Sequence, residues 1–220
     1  MKQRDLKAKA KSYGPRKAEP LTDDDIDKLY ECKQLGTATP TSLINTMWFL
    51  NTLHFGIRGG AEEHRQIKWG DIVLKSDPQT HLKYLEYHER TTKTRTGDDI
   101  RNTRPCPPRM YATTDGSRCP IATYVFYRSM RPQDYSDPDD PFYLAVVTNN
   151  KHPRTDEKWF LRGPIGKNKI ESLMKNMAKN AGLPEDRKIT NTSVRKTLVQ
   201  KMTDNNVPNS LQVYVTGHKN

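Results

Sequence analysis

The sequence predicts an α+β domain that is mainly helical and carries one small three-stranded antiparallel sheet. Two patterns lead there. Stretches with helical apolar spacing lie at 41–55, 119–131, 166–183 and 191–206, spread along the chain. The strand-like segments sit together in one window, 68–104. A length of 220 residues is enough for one large domain with a buried core, preceded by a tail.

Residues 1–20 carry seven Lys/Arg against two acids and no apolar period, so they are expected to form a basic flexible arm or linker. The domain is expected to run over 21–220. Its first helix opens in "PLTDDDIDKLYECKQLG", where Thr22 suits the N-cap. Asp23, Asp24 and Asp25 then complement the positive end of the helix dipole. Ile26, Leu29 and Tyr30 form its i, i+3, i+4 face. Residues 41–55, "TSLINTMWFLNTLHF", carry a wide apolar stripe through Leu43, Ile44, Met47, Trp48 and Leu50, and should be the most buried helix. "GIRGG" breaks it, and "AEEHRQI" reads as a short polar helix.

"KWGDIVLK" is the first expected strand, and "HLKYLEYHE" the second, alternating through Leu82, Tyr84 and Leu85. "TTKTRTGDD" reads as the turn after it, with Gly97 at the bend. A third strand is expected near Ile100 to Arg104, stopped by the prolines of "PCPPRM". "CPIATYVFYRSMRP" is a helix ending at Pro132, and the acids of "QDYSDPDDP" are turn formers. "FYLAVV" is a short apolar segment. "GKNKIESLMKNMAKNAGL" is an amphipathic helix burying Ile170, Leu173, Met174, Met177, Ala178 and Ala181, with Gly182 as its stop. "NTSVRKTLVQKMTDNN" is another, spaced on Val194, Leu198 and Met202, and Pro208 opens a last short helix.

The balance of 37 Lys+Arg against 26 Asp+Glu gives +11, which points to a polyanionic partner, nucleic acid first. No stretch approaches the ~20 apolar residues of a membrane span, and no secretory signal opens the chain. Cys32, Cys106 and Cys119 are too few and too scattered for a disulfide framework and fit a reducing compartment. Neither they nor the six histidines have metal-ligand spacing, so no metal site is expected.

Four strings, "NTLHFGIRGGAEEHRQIKWGDI", "YLEYHERTTKTRTG", "RCPIATYVFYRSMRP" and "NTSVRKTLVQKM…VTGHKN", together resemble the catalytic domain of tyrosine recombinases of the phage-integrase type. The nearer likeness is to the recombinase-like domain of Crypton transposons, whose descendants occur at the C-terminus of MYM-type zinc-finger and glutamine-rich nuclear proteins. The resemblance runs from about Leu21 to Asn220. It implies DNA recombination or integration by phosphotyrosyl transesterification, with double-stranded DNA as partner and self-assembly on it. It also implies a nuclear location, with no membrane, metal or cofactor. Such chemistry needs guanidinium groups on the non-bridging oxygens, a lysine to protonate the leaving oxygen, and a tyrosine nucleophile.

By that resemblance Arg58 and Arg195 are the two phosphate-binding arginines, Lys93 the catalytic lysine and His218 the late histidine. Arg90, Arg95 and Lys196 are further DNA contacts. Three features depart from the family pattern. Thr192 stands where the family has a histidine, and a threonine cannot act as a base near neutral pH. Ala61 stands where the family has a glutamate, with Glu62 and Glu63 after it. The nucleophilic tyrosine should follow His218 by a further helical stretch, whereas the sequence ends at Asn220. Residues 21–220 are therefore expected to stop short of the nucleophile segment and to leave DNA uncleaved. The alternative reading is a domesticated, catalytically inactive DNA- or protein-binding module of a nuclear or chromatin protein.

Overall fold

The computed structural model describes residues 16–90, 106–148 and 158–216. Helix α1 (Asp23–Glu31) starts where Thr22 predicts. The Thr22 hydroxyl accepts from the Asp25 amide at 3.1 Å, and the Asp25 carboxylate accepts from the Thr22 amide at 2.8 Å. Asp25 also takes two bonds from the Arg187 guanidinium, at 2.8 and 3.0 Å. Residues 16–21, at the end of the basic stretch, are docked beside that clamp. Lys196 Nζ donates to the Ala18 carbonyl (2.6 Å), Arg187 to that of Pro20 (2.8 Å), and the Leu21 amide to Thr197 Oγ1 (2.8 Å).

Helix α2 (Pro40–Phe55) is the axle of the domain. Leu43, Ile44, Met47 and Trp48 are fully buried, as expected, but so are the polar Asn45, Thr46, Asn51 and Thr52. The predicted stripe is therefore a helix buried all round, and each of those four polar side chains makes a hydrogen bond. Thr46 and Thr52 donate to the carbonyls four residues back (2.7 Å each), and Asn51 donates to the Tyr143 hydroxyl (2.8 Å). A six-residue helix, α3 (Ala61–Gln66), follows the glycine-rich break.

The sheet runs β1 (Ile72–Ser76), β2 (Lys83–Tyr87), β3 (Arg109–Tyr111), all antiparallel, with β2 central. The turn "TTKTRTGDD" and the expected strand at Ile100–Arg104 lie outside the described residues; the strand paired with β2 is Arg109–Tyr111, just past the prolines, on an edge as Pro requires. Alternation on β2 does not hold. Tyr84, Leu85, Glu86 and Tyr87 are all buried, while Leu82 is half exposed. A central strand has neighbours on both sides, and their long side chains cover its outer face. Arg109 stacks on Tyr84 at 4.7 Å, and Lys75 and Arg109 both bond Glu86 (2.5 and 2.9 Å).

Helix α4 (Pro120–Met130) ends before Pro132. The loop after it turns on its acids, as read: the Asp140 carboxylate accepts from the Asp137 amide (2.8 Å). Buried Arg131 closes that loop, lying over the Trp69 ring at 4.2 Å and donating to the carbonyls of Tyr135, Pro141 and Phe142. "FYLAVV" contains β4 (Leu144–Val146), which pairs with β5 (Phe160–Pro164) in a second sheet that sequence pattern did not reveal. β5 reads FLRGP, with only Phe160 buried, so it carries no strand signature.

The amphipathic helix expected over 166–183 is interrupted at Ser172 into α5 (Lys167–Glu171) and α6 (Leu173–Asn180). Ser172 Oγ bonds back to the Asn168 carbonyl at 2.9 Å, a local competitor of the helical ladder. The apolar face is nevertheless the predicted one, and Gly182 ends the helix at φ +65. Helices α7 (Asn191–Asp204) and α8 (Asn209–Thr216) are the last of the described elements. Among the described residues no helix is long and apolar enough to cross a membrane.

Candidate nucleic-acid interface

The break after α2 is a turn gripped from two sides. Gly56 sits in the left-handed region, and a Cβ there would lie 2.7 Å from the Val215 carbonyl oxygen and 3.4 Å from Thr216 Cα. At Gly59 a Cβ would meet Asn191 backbone and side chain at 2.8–3.0 Å. Both close approaches require glycine. Asn191 fastens the contact, donating to the carbonyls of Gly59 (3.2 Å) and Ile170 (2.7 Å) while accepting from the Met174 amide (3.0 Å). The turn thus lies between the first turn of α7 and the last turn of α8.

Arg58 projects from this turn. It is exposed, and among the described residues no carboxylate pairs with it. Glu62, four residues further on, pairs with Lys167 at 2.6 Å. Arg195, one turn into α7, is buried, and its guanidinium donates to the carbonyl of Thr216 at the end of α8. Thr192, three residues before Arg195, is exposed. The structure therefore gathers Arg58, Thr192 and Arg195 around the junction of one turn and two helix ends. Lys93, Arg95 and His218 lie outside the described residues. Two other expected DNA contacts are engaged within the protein: Arg90 with Asp71 (2.6 Å) and Asp139 (3.0 Å), and Lys196 with the Ala18 carbonyl.

Beneath the turn lies a group that sequence reasoning missed. His64 of α3 is fully buried. Its Nε2 is 3.3 Å from Thr52 Oγ1, and its Nδ1 is 3.2 Å from the Tyr143 hydroxyl. Burial lowers its pKa to about 3, outweighing the Arg58 backbone, which favours the charged form. Burial likewise takes His54 to about 4. In "AEEHRQI" His64 has acids and an arginine on either side, so nothing local marks it as interior.

The sign of the resulting pH dependence is fixed. Both histidines bind protons more readily unfolded than folded, so stability falls as pH is lowered below 6.5. The melting temperature is expected to drop between pH 6.5 and 4.5, before glutamates titrate at their ordinary value. His64→Gln should make that drop shallower; an unchanged pH profile in the variant would contradict a neutral, buried His64.

Exposed guanidinium on a fixed backbone is suited to bidentate contact with phosphate oxygens. Residues 21–179 match the family model described as a domain of unknown function, DUF3504. The chain belongs to the DUF3504 family. The DUF3504 match includes Arg58 and His64 and stops before α7. Human zinc finger MYM-type protein 3 is 31% identical to this DUF3504 chain over 160 residues, covering 67% of it and 12% of that protein. Mouse zinc finger MYM-type protein 2 is 28% identical over 165 residues (67% and 11%), and human transcriptional regulator QRICH1 26% over 161 (67% and 19%). The chain thus spans between 11% and 19% of the length of these relatives.

In three dimensions the DUF3504 domain is similar to XerA recombinase, with a TM-score of 0.50 and 16% identity over 94% of this chain and 58% of that one. It is also similar to a lambda integrase dimer bound to a COC′ core site (0.50, 12%, 100% and 62%) and to FLP recombinase in a Holliday junction complex (0.51, 13%, 99% and 47%). At these identities the likeness is one of fold. That fold is the expected one: mainly helical and tyrosine-recombinase catalytic-domain-like, with a small three-stranded antiparallel sheet.

Proposed function

We propose that this DUF3504 domain binds the phosphate backbone of double-stranded DNA through a recombinase-type cleft centred on Arg58, in a nuclear protein of Crypton-like, transposon-derived origin. The observation that carries this reading is Arg58 itself: an exposed guanidinium, without a carboxylate partner among the described residues, on a turn locked against α7 and α8. Arg195 lies at the same junction, and the net charge of +11 suits the ligand. Lys93, Arg95 and His218 would complete the cleft, with self-assembly on DNA as in the recombinases. Lambda integrase and FLP are both seen on DNA, and the relatives are named as zinc-finger and transcriptional proteins.

Thr192 favours one particular form of this function, a domesticated module that holds DNA without cutting it. An exposed hydroxyl stands where the recombinase pattern has an imidazole, and it cannot act as a base near neutral pH. A covalent protein–DNA adduct on a nicked suicide duplex would overturn the non-cleaving form. The binding reading is tested by anisotropy with a labelled DNA duplex over a salt series. Backbone contacts predict that log K falls linearly with log [salt], with a slope of about −0.9 per phosphate neutralised. Weak binding that ignores salt would remove DNA from the account and leave a protein-interaction scaffold.

A further inference from the structure

The hydrogen bonds around His64 can be ordered atom by atom. Thr52 donates its hydroxyl proton to the Trp48 carbonyl at 2.7 Å, so toward His64 its oxygen can only accept. The imidazole therefore carries its proton on Nε2, and Nδ1 is an acceptor. The Tyr143 hydroxyl, which accepts from Asn51 Nδ2 at 2.8 Å, is left to donate to that Nδ1. One directional chain results: Asn51 to Tyr143 to His64 to Thr52 to the Trp48 carbonyl. It joins α2, α3 and the residue before β4. The ring is also wedged between Trp48 and Tyr143, with centroids 5.5 Å from each.

The network therefore fastens α2 to α3, the two helices on either side of the Arg58 turn, which also packs against Asn191 and Val215. Every side chain in the chain is buried, and none is charged in this arrangement. A buried, fully ordered network of this kind has one low-energy arrangement and passes its rigidity to what it holds. We propose that His64 is a positioning residue for the phosphate-binding turn: by fastening α2 to α3 on either side of that turn, it sets the direction in which the Arg58 guanidinium leaves the fold. This inference rests on the phosphate-cleft reading and adds to it a residue that never touches DNA. An expected correlate is that His64 tolerates no charge, since protonating Nδ1 would set two donors, that N–H and the Tyr143 hydroxyl, against each other.

The test is a double-mutant cycle on the whole chain, read by duplex DNA anisotropy. Arg58→Ala, His64→Gln and the double variant are compared, with near-ultraviolet circular dichroism to verify folding. His64→Gln is expected to weaken duplex binding by about three- to tenfold, the scale of coupling within one network. In the Arg58→Ala background the same change should alter affinity less than about twofold, because its effect runs through the missing guanidinium. Equal losses in both backgrounds would show a role in general stability and overturn the inference. So would an unchanged affinity in a folded His64→Gln protein.

If His64→Gln does not fold, Tyr143→Phe removes only the hydroxyl that donates to Nδ1, and the same Arg58-dependent loss is expected of it. Amide exchange at Gly59 and Gly60 gives a readout free of DNA: it should quicken in the His64 or Tyr143 variant. Unchanged exchange there would overturn the positioning role. The two readings fail separately. If Arg58→Ala leaves affinity intact, the phosphate cleft is wrong. If Arg58→Ala weakens binding but His64 shows no coupling to it, only the positioning role is wrong.

Discussion

Replacing Arg58 with alanine is expected to weaken duplex binding by about 1–3 kcal/mol, roughly one to two powers of ten, with little change in the protein's own stability. The side chain is exposed and holds no carboxylate among the described residues, so its loss removes a ligand contact without unfastening the fold. The slope of log K against log [salt] should fall by about one, the share of a single phosphate. Arg58→Lys keeps the charge and loses the planar fork, so it should fall between wild type and alanine. Arg195→Ala is a less selective probe. Its guanidinium is buried and bonds the Thr216 carbonyl, so the change would loosen the α7–α8 junction as well as the cleft. Wild-type affinity and salt slope in Arg58→Ala would place the DNA surface elsewhere.

Trp48→Ala is expected to destabilise the domain by about 3–5 kcal/mol, measured by denaturant unfolding. Trp48 is fully buried at the middle of α2, the helix that packs on α4, α7 and both sheets. Removing the indole opens a cavity against His64 and strips one wall from the network under the Arg58 turn. Domains of this size are stable by about 5–15 kcal/mol, so the loss would be a large fraction of the whole. Trp48→Phe should cost much less. The indole Nε1 is buried and meets no acceptor among the described residues, so its removal relieves an unsatisfied donor while most ring volume stays. A loss below about 1 kcal/mol for Trp48→Ala would show that α2 is not the axle.

The Thr22 cap, the Gly182 stop, the Pro132 limit and the apolar face of α5 and α6 were all legible, because each is set by residues within a turn or two of one another. Arg58 was legible only through the family resemblance carried by the string around the glycine-rich break. What failed to show depends on distant partners. The all-round burial of α2, the loss of alternation on β2 and the pairing of β5 each follow from which segment lies alongside. His64 and Asn191 look like surface residues among charged and polar neighbours, yet one is buried in the network and the other binds three segments together.

The amino-acid sequence by itself determined the helical segments, the first two strands, the caps and the basic charge, since propensity, periodicity and composition are local properties; the candidate phosphate ligands came from the family resemblance. Tertiary structure decided which of those ligands face solvent. Arg58 stays available, Arg195 is turned inward to a helix end, and Arg90 and Lys196 are taken by partners within the fold. Those assignments rest on contacts between segments far apart in the chain. Burial and pairing energies are summed over such contacts, and only the folded arrangement specifies them.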